Sequence, residues 1–534
     1  MSSGRYRALD AISAASAPSP SPLARVHSLI SSPSPLSTLR SLVAGGSSRR
    51  TLALVVGAVG GLLVVFAVVH RGQAHGLVAG LSSGRGRYGA ARAYGDMLAR
   101  NLRNQEPQTA LSEQMRDGVD FLTGMLQSNQ LLALINLLFL GKELGRTVIV
   151  PPLTAIHFGG QHRPFHLVYD LPRFHLLTGV QAIPMSLFKT PGDPDNVEER
   201  VTCWSLMEKY TGAVNAHAIE TGLEEHGLYT DFWAVPAFRR SSEGAVLEVG
   251  PIIDFLRNRT AQLDWVETTR RELLPQKPLP KGVDAASVDP ENNLKPFFDP
   301  LHGVPPTEDE QLMCVDATFY IGDSVPPPPY PQHVPLDPWR VGRAWKEVGQ
   351  HLHWLPEVQE YADEYLQGMF GVKRTKDIPP FISVHVRRGD FKDFHGNTFT
   401  PLSSYVAAVE DVRSRLQDRL DHPPSPAERE GRPPLERFAV PPSEYAVVAT
   451  TDEQPGSDLF AELDKLGWHV VDHGEMRTAE RLGEWYPSML DGEILSRGQG
   501  FVGTQWSTFS MLSGNRVEYW RGGIQVVANP RSGV

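Results

Sequence analysis

The chain has 534 residues, of which 41% are hydrophobic and 21% charged, and its formal net charge is −10. That length leaves room for two or three domains, and the composition is that of a globular protein. The acidic balance excludes the overall basic footprint of a nucleic-acid binder, so no nucleic-acid partner is expected.

Residues 1–50 are Ser-, Pro- and Ala-rich with few apolar residues to form a core, and they read as a disordered tail. Their charges are Arg5, Arg7, Arg25, Arg40, Arg49 and Arg50 against Asp10 alone. Residues 51–69 then run apolar and uncharged for long enough to cross a bilayer core of about 30 Å as a helix. The apolar region of a signal peptide is shorter, lies nearer the N-terminus and precedes a small-residue cleavage site, so a retained anchor is expected. The Arg-only flank predicts a cytosolic N-terminus, a bias softened by Arg71, Arg85 and Arg87 beyond the span. The expectation is a single-pass type II membrane protein with its folded bulk in the lumen. There Cys203 and Cys314 have the chance to form a disulfide, although sequence does not show that they are close enough. Asn258-Arg259-Thr260 becomes an accessible glycosylation sequon under the same topology.

Residues 70–111, Gly-, Arg- and Ala-rich and then polar, read as a stem. The folded body is expected from 112, with a first domain over 112–345 and a second over 346–534. Phe121–Gln130 leads into the apolar run Leu131–Gly145, a buried helix that stops at its glycine. Arg146–Pro152 follows as a buried strand, which makes the start of a Rossmann-like unit. His157, His162, His166 and His175 lack a ligand-like spacing and read as surface or loop histidines. Asp193-Pro194-Asp195 matches a cation-holding D-x-D only weakly, because it sits in a Pro/Gly loop. The prolines at 326–329 and 331 mark an exposed connection.

The second half alternates strand and helix. Strands are read at 381–387, 445–450, 468–471 and 500–504, and helices at 402–420, 459–466 and 488–496. A Pro- and charge-rich insertion at 421–442 reads as disordered. Such alternation means a parallel, doubly wound sheet. Its strand ends carry His385-Val386-Arg387-Arg388-Gly389-Asp390, then Thr450-Thr451-Asp452, then Thr504 through Ser510. Adjacent arginines at a strand end are costly to bury unpaired and present planar forks that grip phosphate. The plainer alternative is that they pair with carboxylates elsewhere in the fold. The last strand runs into a hydroxyl-rich helix start, whose free N–H groups favour an anion.

These patches, with the segment Gln127–Pro152 that contains Asn129-Gln130, resemble the motifs of the fucosyltransferase superfamily of protein O-fucosyltransferases and core α1,6-fucosyltransferases. The elements H-x-R-R-x-D, T-D after a strand, and S-x(6)-G-T before a Ser/Phe-rich turn stand in the family's order across residues 112–534. The resemblance implies an α/β fold of GT-B type, two Rossmann-like doubly wound domains facing a cleft. It also implies an inverting, metal-independent transfer of fucose from GDP-fucose to a hydroxyl of a protein or glycan, in the Golgi or endoplasmic reticulum. No cofactor is expected, GDP-fucose being the donor substrate.

Carried over by position, Arg387 binds the β-phosphate and offsets charge developing on the leaving diphosphate. His385 contacts the nucleotide, while Arg388 and Asp390 orient Arg387 or the base. Asp452 holds the guanine or its surroundings. Ser496, Thr504, Ser507, Thr508 and Phe509 fall where the family contacts phosphate, ribose or fucose, and Asn129 faces the cleft from the first domain. The base is where the chain departs. Gly124–Gln130 has no carboxylate, and the position ten residues after the motif histidine, a glutamate in core fucosyltransferases, is His395. Asp393 or His395 is then the candidate base, or the reaction relies on Arg387 and a phosphate of the leaving group. Both residues also read as part of a solvated loop. The alternatives are a related transferase with another sugar nucleotide or a glycan acceptor, and a catalytically silent, membrane-tethered GDP- or glycan-binding protein. An acyl hydrolase has little behind it, since no G-x-S-x-G elbow occurs.

Overall fold

The computed structural model describes residues 84–103, 109–124, 130–154, 162–206, 226–236, 247–273, 311–316, 318–322, 342–389, 399–505 and 507–528. The expected tail and membrane span, 1–50 and 51–69, lie outside them. Among the described residues no helix is long and apolar enough to cross a membrane.

The expected stem is corrected in part: Gly84–Asn101 forms a helix, α1, packed on the body. Ala90 and Met97 are buried, with Tyr94 between them on the same face. Tyr94 donates to the Ala182 carbonyl at 3.2 Å, and Asn101 donates to Gln181 Oε1 at 2.6 Å. The Gly/Arg composition hid a helix whose sparse apolar residues recur at helical spacing.

The first sheet is built from β1 (Phe121–Gly124), β2 (Thr147–Val150), β3 (Ala182–Pro184), β4 (Glu199–Ser205), β5 (Leu228–Ala234) and β6 (Leu312–Asp316). Its order is β3-β2-β1-β6-β4-β5, parallel throughout. Helix α2 (Gln130–Leu144) is buried along Leu132–Gly141 and ends where Gly145 takes a φ of +69°. Helices α3 (Leu171–Thr178), α4 (Val249–Arg257) and α5 (Arg259–Leu273) also belong to this half. Cys203 and Cys314 face each other across β4 and β6 and are joined by a disulfide.

Helix α6 (Pro356–Phe370) leads into the second sheet: β7 (Phe381–Val386), β8 (Ala446–Thr451), β9 (His469–Val470), β10 (Gly500–Thr504) and β11 (Ile524–Ala528). The order is β9-β8-β7-β10-β11, again all parallel. Strand β7 is buried along its whole length, as a central strand covered on both faces should be. Ile382, Val384 and Val386 pack with Tyr405, Val409, Val412 and Leu416 of α7 (Leu402–Asp421). The alternate residues turn to the other face, where Ser383 Oγ donates to the Leu495 carbonyl and His385 meets Ser510. Helix α8 (Asp458–Lys465) precedes β9, and α9 (Tyr486–Ser496) and α10 (Thr508–Arg521) complete the wrap.

Residues 422–441 correct the expectation of disorder. They form neither helix nor strand, yet they are tied down along their length. Glu430 pairs with Lys346 at 2.9 Å, and the Arg432 guanidinium lies over the Tyr519 ring at 5.9 Å. Gly522, at φ +66°, lets the chain pass so closely that a Cβ there would strike the Pro433 carbonyl. Composition reads solvent exposure; it does not read a strap held by polar ties. The two halves also meet directly. Tyr169 stacks on Trp354 with ring centroids 4.7 Å apart, and the buried Arg516 guanidinium lies 4.7 Å from the same indole.

Candidate active site

In the second sheet the chain winds outward through β7, β8 and β9, then returns to β10 on the other side of β7. That reversal opens a crevice beyond the carboxyl ends of β7 and β10, where open α/β sheets bind ligands. Arg387 follows β7 and Ser507 follows β10, so the sequence delivers its arginines and its helix start to one place.

Thr504 knits the two strand ends together. Its Oγ1 donates to the His385 carbonyl at 2.8 Å and accepts the Arg387 backbone N–H at 2.9 Å. Asp452, at the end of β8, grips the turn from the other side. Its Oδ1 accepts the Arg388 backbone N–H at 2.7 Å, and its Oδ2 pairs with Arg387 Nη1. Gly389 has φ +20°, and a Cβ there would strike the same Asp452 oxygen, so only glycine lets this carboxylate approach. The Arg388 guanidinium lies over the Phe399 ring at 5.3 Å. Its Nε is buried without a hydrogen-bond partner among the described residues.

The start of α10 supplies the other wall. Ser507 caps it by accepting the Ser510 N–H at 3.2 Å. Ser510 Oγ is 2.7 Å from His385 Nδ1 and accepts the Thr504 N–H at 3.0 Å. Phe509 packs against the imidazole with ring centroids 5.0 Å apart. Burial first, and then the charge of Arg387, push the His385 pKa down to about 3, so the ring is neutral at physiological pH.

The expected residues thus fall into three groups. His385, Arg387, Arg388, Asp452, Thr504, Ser507, Thr508 and Phe509 lie at the ends of β7, β8 and β10 or in the first turn of α10. Asn129, Asp390, Asp393 and His395 lie outside the described residues. Ser496 is a correction. It ends α9, its Oγ donates to the Glu493 carbonyl at 2.7 Å, and the nearby Gln499 N–H reaches the Phe381 carbonyl at the start of β7. A helix that feeds a parallel strand finishes at that strand's amino end, so Ser496 stands on the edge opposite the arginines. Asp452 stands at the end of β8 beside the arginine turn. In this structure it holds Arg387 and the Arg388 N–H, which realises the carboxylate-pairing alternative for one of the two arginines.

Asp491 had no assigned role. It lies in α9, accepting from or sharing a proton with His473 Nε2 at 2.9 Å. Burial pushes its carboxyl up; His473 opposes this, and the charge of Asp452 adds to it, which sets the two acids in one neighbourhood. The signal was its place ahead of Ser496 in the third motif. Elsewhere, Asp193 Oδ1 accepts the Asp195 N–H in an exposed turn. His175 Nδ1 is 2.9 Å from the Val180 carbonyl. Among the described residues no three His, Cys, Asp or Glu side chains gather as a metal site. Asn258 is exposed and caps α5 by accepting the Ala261 N–H at 3.0 Å.

Arg387 and Arg388, Asp452 and a helix N-terminus gather at the switch point of a parallel sheet, a combination of chemistry suited to an anion such as phosphate. The family model of GDP-fucose protein O-fucosyltransferases matches residues 128–519, well over half of the chain, and the chain belongs to that family. Among solved structures it is similar to POFUT1 in complex with GDP-fucose, at 12% identity and a TM-score of 0.39, over 80% of this chain and 100% of that one. It is also similar to the fucosyltransferase NodZ from Bradyrhizobium, at 11% identity and a TM-score of 0.31, over 74% of this chain and 92% of that one. No curated protein matches it.

Proposed function

We propose that the chain transfers fucose from GDP-fucose to a hydroxyl acceptor, a Ser or Thr of a protein, with inversion and without a metal. The observation that carries this is Arg387, held at the switch point by Asp452 and Thr504 inside a chain of this family. In the proposed step the acceptor oxygen attacks the anomeric carbon from the face opposite the diphosphate. The bond from that carbon to the β-phosphate oxygen breaks, and its electron pair leaves with GDP. Arg387 meets the charge that develops there, and its prior fixing by Asp452 spares the reorganisation that a mobile side chain would need. The acceptor proton goes to Asp393, to His395 or to a phosphate oxygen of the departing GDP.

The wider reading is a GT-B arrangement, with the first sheet on the acceptor side and the second on the donor side of a cleft. It places 51–69 in an ER or Golgi membrane and the body in the lumen, where Asn258 is open to glycosylation. The disulfide between β4 and β6 is consistent with an oxidising compartment.

A screen of the full chain that follows GDP release across sugar nucleotides tests this. GDP-fucose is expected to give turnover, and Arg387→Ala to reduce it on the order of 10³-fold with thermal melting unchanged. An active Arg387→Ala enzyme overturns the assignment. Wild-type protein that binds GDP but neither hydrolyses nor transfers from GDP-fucose is instead a silent binding protein.

A further inference from the structure

Thr504 Oγ1 has a third partner. Tyr405, from the first turn of α7 and 1% exposed, places its hydroxyl 2.7 Å away. The directions of these bonds follow from the donor count. Thr504 has one hydroxyl proton, and it goes to the His385 carbonyl. Tyr405 must therefore donate to Thr504. Its oxygen is left to accept from Thr400, which is itself buried and shares a hydrogen bond with it. Burial pushes the Tyr405 pKa up to about 12, so the hydroxyl keeps its proton throughout the physiological range.

We propose that Tyr405 is a positioning residue for the transfer reaction, setting the Arg387 peptide through Thr504 while bracing Thr400. The inference rests on the fucosyltransferase reading above. Three observations separate it from ordinary core packing. The Tyr405 ring belongs to the apolar cluster that holds Ile382, Val384 and Val386, where a Phe would fill the same space without needing partners. Both of its bonds go to residues beside the arginine turn. Their direction leaves Thr504 with two donors, Tyr405 and the Arg387 N–H, and a single acceptor, the His385 carbonyl. A hub with every hydrogen assigned has one arrangement, and that fixes where Arg387 leaves the strand.

The test is Tyr405→Phe in the full chain. Turnover with GDP-fucose should fall about tenfold and GDP affinity about fivefold, the size expected for losing one buried hydrogen bond that orients a charged group. Melting should stay close to wild type. In an Arg387→Ala background, the same substitution should leave GDP affinity unchanged, because the group it positions is gone. An equal affinity loss in both backgrounds, or wild-type kinetics for Tyr405→Phe, overturns the proposal. Should Tyr405→Phe fail to fold, Thr504→Val and Thr504→Ser replace it. Loss with Val and near-complete rescue with Ser supports the hub; equal activity of the two overturns it. Wild-type protein that does not bind GDP at all would instead sink the parent reading.

Discussion

Arg387 stands at the centre of the site, but Asp452 decides what it can do. A carboxylate that holds both the guanidinium and the next peptide N–H fixes side chain and backbone together. When a diphosphate enters, it meets a cation already aimed, and Arg388 and the α10 terminus add positive potential. Asp452→Asn keeps an acceptor for the Arg388 N–H and removes the charge that orients Arg387. Turnover is expected to drop roughly 10- to 100-fold, with the preference for guanine over other bases unchanged. Competition between GDP and other nucleoside diphosphates checks this. A relaxed base preference would instead support the guanine-holding role that the resemblance implied.

At the scale of elements, the first turn of α10 is both a structural cap and a wall of the site. Ser507 accepts the Ser510 N–H, one of the N–H groups that a helix start leaves without an intrahelical partner. Ser507→Ala is expected to cost about 1 kcal/mol of stability, the usual loss of an N-cap, and to weaken GDP binding several-fold. Denaturant midpoints and GDP titration measure the two effects separately. A stability loss with intact GDP affinity would remove the helix terminus from the anion site. Helix α7 works from the opposite face, where the Tyr405 hydroxyl meets Thr504 Oγ1. The two elements therefore converge on one strand end from both sides of the sheet.

At the scale of the molecule, the joint between the halves buries ionisable groups of opposing sign. Burial, with Arg173 adding to it, pushes His353 down to about 2, and His385 is at about 3. Unfolded histidine titrates near 6.5, so each contributes stability that is full above about pH 6.5 and is lost as pH falls toward the folded value. Burial pushes Asp170 up to about 7, far above the unfolded value of roughly 3.9, so its contribution is full in acid and lost as pH rises through 7. His166 and His351 are pushed down as well and Asp491 up, so between about pH 6 and 4.5 four histidines outweigh two aspartates. Stability should therefore fall with acidification over that window. Asp170→Asn keeps an oxygen for the Arg173 N–H that Asp170 Oδ1 accepts at 3.0 Å and removes one of the opposing contributions. Its acid slope should be steeper than that of the wild type, read from urea midpoints across the pH series. An unchanged slope would show that Asp170 does not titrate in this window.

The chain's local patterns were enough to mark four of the five strands of the second sheet, β11 (Ile524–Ala528) having gone unread. Short β-branched runs ending in Arg387-Arg388, Asp452 and Thr504 give parallel strands, and parallel strands share one functional edge. The same reasoning found helix α2 and strand β2, where apolar periodicity is strong. It missed most of the first sheet, because strands such as Glu199–Ser205 and Leu228–Ala234 carry charged and polar residues and owe their place to neighbours far along the chain. It also missed α1 and the ordered strap at 422–441, whose apolar content is too sparse to show a core-facing element by pattern. Only the tertiary structure decided that Asp452 belongs to Arg387, that Ser496 belongs to the far edge, and that Cys203 meets Cys314. Each of these is a matter of which side chain stands opposite which across a sheet. A sequence fixes the period of a strand, whereas its register and its neighbours come from the burial and charge pairing of the folded whole.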